Sequence, residues 1–245
     1  MKLYGILMKG EMVRAYLAGH KWMTRRTRGL DVINKNPDDW HFKDFHQDTH
    51  RAIFANQYNH EKLVRPPYGW VGDTLWFKET YAVICRVADP YCFCTTDEEE
   101  KANHYVEYRA DTGDAYPGEW PEEEAKGYDE APKWKSSMFM SRKYSRISVP
   151  VVNVQVQRVQ DILLGDVAAE GWPDAPKTNE IWTPELLKIK GDGFSWFLTL
   201  WDSINAKRGM GWEENPWVFV YEFPKYSKLE STVLSQRDDM TEGKV

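Results

Sequence analysis

Residues 21–28 of the chain read Lys-Trp-Met-Thr-Arg-Arg-Thr-Arg, four cations and two hydroxyls with no acid among them. Lys and Arg interleaved with Thr at fixed offsets can hold an anionic or polar ligand, because ammonium, guanidinium and hydroxyl donors then converge on it. A charge run by itself is more often a solvated face. A second residue argues for more. In Thr74-Leu75-Trp76-Phe77-Lys78-Glu79-Thr80 the alternation of a strand places Leu75, Phe77 and Glu79 on one face. If that face is the core, Glu79 is an inward carboxylate at the strand's end. Burying it unpaired costs several kcal/mol, so it needs a cation, and the basic run offers one.

The elements that position these residues follow from periodicity. Tyr4–Met8 reads as a first strand. Gly10–Ala18 places Met12, Ala15 and Tyr16 at helical spacing, and Gly19 stands where a C-capping glycine would. The basic run is then expected in a post-helix loop. His104–Ala110 alternates as a strand. Ile147–Val159 is the longest strand signal, a β-branched alternation broken by Pro150. Asp161–Glu170 predicts a short helix ended by Gly171, Asp192–Lys207 an amphipathic helix, and Pro216–Phe223 a last strand. The order suits an α+β fold, a mixed and mostly antiparallel β-barrel with flanking helices. A single domain over residues 1–223 is expected, with insertions at about 31–65, 86–133 and 172–191 and a polar tail over 224–245. The first insertion is polar and expected to hold some helix.

Composition bounds the function. The 245 residues carry a net charge of −6, so a broad basic surface for non-specific polyanion binding is excluded and any nucleic-acid contact must be local. Aromatics make up 14% of the chain, including 12 Trp, which is a folded composition. No apolar run approaches the ~18 residues of a membrane span, and the first ten residues are too quickly polar for a signal peptide. Three Cys do not form a disulfide framework, and a reducing, cytoplasmic setting is the expectation. His41, His46, His50 and His60 could bring two imidazoles to one helix face, and Cys85, Cys92, Cys94 and His104 follow, but neither spacing is that of a metal site. No metal or cofactor is expected. The signatures of a zinc deaminase, a phosphate-binding glycine loop and a nucleophile elbow are all missing.

Residues 12–26, Met-Val-Arg-Ala-Tyr-Leu-Ala-Gly-His-Lys-Trp-Met-Thr-Arg-Arg, resemble the opening motif of the ASCH superfamily in its larger phage and prophage form. Pro67-Tyr68-Gly69 with Gly72 to Thr80 is similar to the second motif. Ser145-Arg146-Ile147, Asp161–Gly171 and Leu200–Asn205 through Val218 are similar to later blocks. The resemblance implies a PUA-like barrel, related to modules that bind RNA or modified bases. It also implies an activity, removal of the acetyl group from N4-acetylcytidine, with Lys21, Thr24 and Glu79 as the catalytic set. Residues 140–144 depart from the phage pattern, with Ser141 and Lys143 where Pro and Trp are expected. If the chain is phage-encoded, the setting is the host cytoplasm.

The residues allow that chemistry. Thr24 can supply the nucleophilic hydroxyl, Lys21 the base if its pKa is lowered, and Glu79 a proton relay. Burial and the neighbouring Arg25 and Arg26 lower the Lys21 pKa, whereas Glu79 would raise it. Arg25 and Arg26 would hold the ligand, and Trp22, Tyr68, Trp76 or Trp134 would stack on the base. The structural alternative is a plain ion pair between Lys21 and Glu79, with Thr24 a turn hydroxyl. Three functions are therefore weighed: an N4-acylcytosine amidohydrolase, favoured here; a non-catalytic binder of RNA or a modified base; and a ribonuclease. The expected partner is a modified cytosine base or nucleoside, with RNA second and no membrane. Oligomeric state is not legible in the sequence.

Overall fold

Strand β11, Trp217–Glu222, is buried along both faces: Val218, Phe219, Val220 and Tyr221 are each at most 1% exposed. A strand covered on both sides reads as a continuous apolar run, and this one lies at the centre of a sheet. The computed structural model describes residues 1–85, 104–113, 133–175 and 184–226. Among them the architecture is α+β with mostly antiparallel sheets. The strands are β1 (Leu3–Leu7), β2 (Met23–Arg26), β3 (Trp40–Phe45), β4 (Ala52–Asn56), β5 (Glu61–Val64), β6 (Thr74–Lys78), β7 (Tyr81–Cys85), β8 (His104–Tyr108), β9 (Ser148–Pro150), β10 (Asn153–Arg158) and β11. The helices are α1 (Gly10–Leu17), α2 (Arg109–Thr112), α3 (Leu164–Ala169) and α4 (Pro184–Asn205). Sheet orders are β1-β6-β9, β10-β11-β2, β3-β4-β5 and β7-β8.

The chain divides into two compact units. The larger holds Met1–Tyr4, Ala15–Thr74 and the chain from Val149 onward; the smaller holds Gly5–Arg14 and Leu75–Ser148. In the larger unit, antiparallel register pairs Val154 with Tyr221 and Val156 with Phe219 between β10 and β11, and Thr24 with Tyr221 and Arg26 with Phe219 between β2 and β11. One face of this sheet carries Met23, Val218 and Val220 into a cluster with Val159, Ile162, Val167, Trp172, Phe197 and Trp201. Phe197 and Trp201 stand four residues apart on α4, one apolar stripe of the helix. The Trp201 indole donates to the carbonyl of Met210 at 2.9 Å, which satisfies its only polar atom. In the smaller unit β7 and β8 form an antiparallel pair, Tyr81 against Tyr108 through Cys85 against His104.

Several expectations need correction. The basic run is not a loop: Met23–Arg26 is strand β2, because its alternation matches a cross-strand partner at the far end of the described chain, Phe219–Glu222, that no local signal reveals. Residues 31–65 hold the antiparallel sheet β3-β4-β5, and their only helix is two three-residue 3-10 turns, Ile33–Lys35 and Pro37–Asp39. His46 and His50 flank the β3–β4 turn and share no helix face; the His50 amide donates to the His46 carbonyl at 2.8 Å. Pro150 ends β9 and divides the long valine-rich signal between two sheets. Helix α4 begins at Pro184, inside the expected insertion at 172–191; Gly191 and Gly193 had masked its start by lowering local helix propensity. Cys92 and Cys94 lie outside the described residues.

Asn34 ties the start of β11 to the 3-10 turns. Its amide donates to the Trp217 carbonyl at 2.9 Å and accepts from the Trp217 amide at 2.8 Å. Asn34→Ala removes both bonds, and the expected loss is about 1–3 kcal/mol of unfolding free energy, read as a lower urea midpoint at unchanged slope.

Candidate functional site

Two buried ionic constellations, one in each unit, hold Lys21 and Arg25 in the first and Glu79 in the second. The first is built at β2, an edge strand. After α1 the chain turns at Gly19, whose φ of 75° is left-handed. Lys21 then bridges antiparallel to Glu170, and the chain enters β2. The Lys21 side chain is 1% exposed. Its Nζ donates to the Met23 carbonyl at 2.7 Å, the Glu170 carbonyl at 2.8 Å and Glu170 Oε2 at 2.8 Å. An ammonium has three protons, so this one is fully used.

Alternation along β2 separates the rest of the run. Met23 and Arg25 face helices α3 and α4. Arg25 Nη1 donates to Glu170 Oε1 at 3.1 Å and Nη2 to Asp166 Oδ2 at 2.7 Å. Turned with its oxygen toward Arg25, the Gln157 amide accepts from Nε at 3.1 Å and Nη2 at 2.8 Å. The guanidinium carbon lies 5.9 Å from the Phe197 ring centre. Asp166 and Glu170 are four apart at α3, so one helix face presents both acids. Thr24 and Arg26 point to the opposite face, with Tyr221 and Phe219 beside them in register. Tyr221 accepts a hydrogen bond from the Tyr68 amide at 3.1 Å, and the two rings meet edge to face at 5.7 Å. Thr24, Tyr68 and Tyr221 are all buried, and Arg28 lies over the Tyr68 ring. Trp22 is half-buried against the core cluster, with the Lys225 ammonium 3.7 Å from its ring centre.

Burial lowers the Lys21 pKa, with Glu170 pulling it up and Arg26 and Arg25 pushing it further down. Burial alone would raise Glu170, but the charges of Lys21 and Arg25 and their hydrogen bonds outweigh it, and its pKa falls below the ordinary 4.5. Burial also lowers Arg26, opposed by Tyr68, Glu170 and Tyr221. Burial pushes the Tyr221 phenol up.

The second constellation follows β6. Leu75, Phe77 and Glu79 are all buried, as the alternation predicts. Glu79 takes a two-point fork from Arg146, Nε to Oε1 at 3.0 Å and Nη2 to Oε2 at 2.9 Å. The same guanidinium reaches Asp111 at 2.6 and 3.0 Å and lies 4.0 Å over the Tyr108 ring. The Tyr108 hydroxyl donates to the Tyr144 carbonyl at 2.9 Å. Burial raises the Glu79 pKa against the pull of Arg146, and pushes the Tyr108 phenol up to about 12. Trp76 belongs to this unit as well, its ring packed on Gly5, where an added Cβ would come within 2.6 Å, and attended by the Lys78 ammonium.

The acid on Lys21 is therefore Glu170, and the cation on Glu79 is Arg146. Sequence reasoning missed Glu170, Asp166, Gln157, Arg146 and Asp111 as site residues. Glu170 left one readable trace: an acid at a helix C-terminus opposes the helix dipole and calls for a nearby cation. Among the described residues no group of three or more His, Cys, Asp or Glu is placed to hold a metal ion, and no helix is long and apolar enough to cross a membrane.

Comparison with protein-family models, curated proteins and solved structures finds no match.

As an ammonium, Lys21 spends its three protons on three acceptors and fastens the start of β2 to the end of α3. Glu170→Ala strands two buried cations, and the expected loss is about 3–5 kcal/mol in urea unfolding. Glu170 has a depressed pKa, so its contribution is complete above pH 4.5 and is lost as pH falls below that through its folded-state value. Glu79, raised, titrates in the opposite sense. Comparing urea midpoints of wild type and Glu170→Gln through this acid window isolates Glu170: the wild type should fall more steeply.

Proposed function

We propose that this chain is an ASCH-type protein with a PUA-like barrel that recognises a modified cytosine base or nucleoside without cleaving it. The observation that carries this reading is the division of the basic run by β2. Lys21 and Arg25 are committed to Glu170 and Asp166 on one side, and Thr24 and Arg26 lie on the other with Tyr68 and Tyr221. A hydroxyl, a guanidinium and two aromatic rings are the group types that suit a polar, planar ligand; Arg26 is the partly exposed one, and Thr24, Tyr68 and Tyr221 are buried. Lys21 supports the ligand face from behind, by fixing the strand that bears it.

Hydrolysis of an N4-acyl group is the second reading, and one observation favours it. Burial, Arg25 and Arg26 lower the Lys21 pKa, which eases loss of the proton that a base must shed. In that route Thr24 Oγ attacks the acyl carbon, the bond to N4 breaks with a proton delivered to the leaving amine, and water releases the acid from the threonine ester.

N4-acetylcytidine, titrated calorimetrically into the purified chain with acetate followed by chromatography, separates the readings. Binding without acetate release is expected, weakened about tenfold or more by Thr24→Val and by Arg26→Gln. Acetate release that disappears in Thr24→Val would replace recognition by hydrolysis. Absence of binding would remove both.

A further inference from the structure

The larger unit contains an open cavity of about 410 Å³ that the reading above does not use. Three segments enclose it: the chain start through Tyr4, the β3–β4 turn at residues 48–51, and residues 65–73. Its volume suits a ligand of mononucleotide size. The aromatic part of the lining is already a stack. The His50 imidazole lies on the Trp70 indole at 4.8 Å between ring centres and 6° between planes, and Phe45 supports Trp70 from its edge at 4.6 Å. His50 holds that position with φ of 53°, a left-handed conformation that costs a side chain of this kind on the order of 1 kcal/mol. Tyr4 closes against Gly69, where any Cβ would come within 2.5 Å of the Tyr4 ring. Glycine is needed there twice over, since its φ is 85°.

The rim is cationic. Arg51 and Arg65 are exposed, and Lys2 joins them in the lining. Arg65 leans toward the Tyr4 hydroxyl at 3.5 Å. Two acids also line the cavity. Asp73 is occupied by backbone donors, the Lys2 amide at 2.7 Å and the Trp70 amide at 3.1 Å, and it shapes the floor. Asp48 is exposed on the turn. A guanidinium recognises phosphate oxygens through forked hydrogen bonds, and flat π-faces accept any nucleobase.

We infer that this cavity is a second site, which takes a nucleoside phosphate: the base extends the His50–Trp70 stack, and Arg51 and Arg65 grip the phosphate. The site stands on the cavity alone and does not depend on the cytosine reading. The phosphate can belong to a free nucleotide or to a nucleic-acid strand, and the test distinguishes them.

Adenosine 5′-monophosphate and adenosine are titrated into the full chain at low salt by calorimetry. The nucleotide is expected to bind at least about tenfold more tightly than the nucleoside. The double variant Arg51→Ala, Arg65→Ala should abolish that difference, and both side chains are exposed, so the fold is retained and circular dichroism checks it. His50→Ala should weaken nucleotide and nucleoside alike. Equal binding of the two, no nucleotide binding, or undiminished preference in the double variant overturns the inference. A pentaadenylate that binds at least tenfold more tightly than the mononucleotide, with a steeper salt dependence, assigns the phosphate to a strand; equal affinity assigns it to a free nucleotide. The probes carry no N4-acyl group and the variants leave Thr24 and Arg26 intact, so this result and the N4-acetylcytidine result can fail separately.

Discussion

The Lys21 ammonium is buried, and the larger unit is arranged around keeping it paired. Taking such an ion out of water costs several kcal/mol, and only a close carboxylate with further acceptors offsets that cost. Glu170 supplies both its carboxylate and its carbonyl to the same nitrogen. That demand fixes where α3 ends. The next residue, Gly171, has φ of 104°, and an added Cβ would lie 3.0 Å from the Ala15 Cβ and 3.3 Å from the Lys21 Cβ. Helix α1, the lysine and the end of α3 can approach this closely only because a glycine stands between them. Arg25 then shares the Glu170 carboxylate and draws in Asp166 one helical turn earlier, so two cations and two acids lock β2 to α3.

The same physics recurs in the smaller unit with a different cation. Glu79 is buried at the end of β6, and Arg146 answers it with a planar fork while lying flat on Tyr108. A guanidinium suits this place better than an ammonium: it can satisfy both oxygens of Glu79, reach Asp111 and present its face to a ring at once. In both units a buried carboxylate is held by a cation that sequence order places far away. Each pair organises an element junction.

Much of the fold was legible. The short strand after the N-terminus, helix α1 and its capping glycine, the inward alternation of Leu75, Phe77 and Glu79, the break at Pro150 and the last strand all follow from local periodicity and turn chemistry. Two regions misled. Four residues rich in Arg and Thr carry weak strand propensity, so β2 looked like a loop; pairing with β11 supplies what propensity does not. The histidine-rich stretch looked helical by its spacing, whereas Phe42, Phe45, Ile53 and Phe54 belong to a sheet whose aromatic contacts dominate. Of the site, burial of Glu79 was inferable from its strand face; the burial of Lys21 and Thr24 and the partners of all three were not, because a loop was expected where β2 stands.

Sequence alone determined that a carboxylate on an apolar strand face needs a cation, and where a glycine lets the chain turn left-handed. These are local properties of side-chain chemistry and backbone freedom. Only the tertiary structure decided which charge answers which, because an ion pair over 149 residues of separation leaves no periodic trace in either segment. It also decided that Thr24 and Arg25, neighbours in the chain, face opposite ways, since the face of a residue is set by the strand it pairs with and not by the residue beside it.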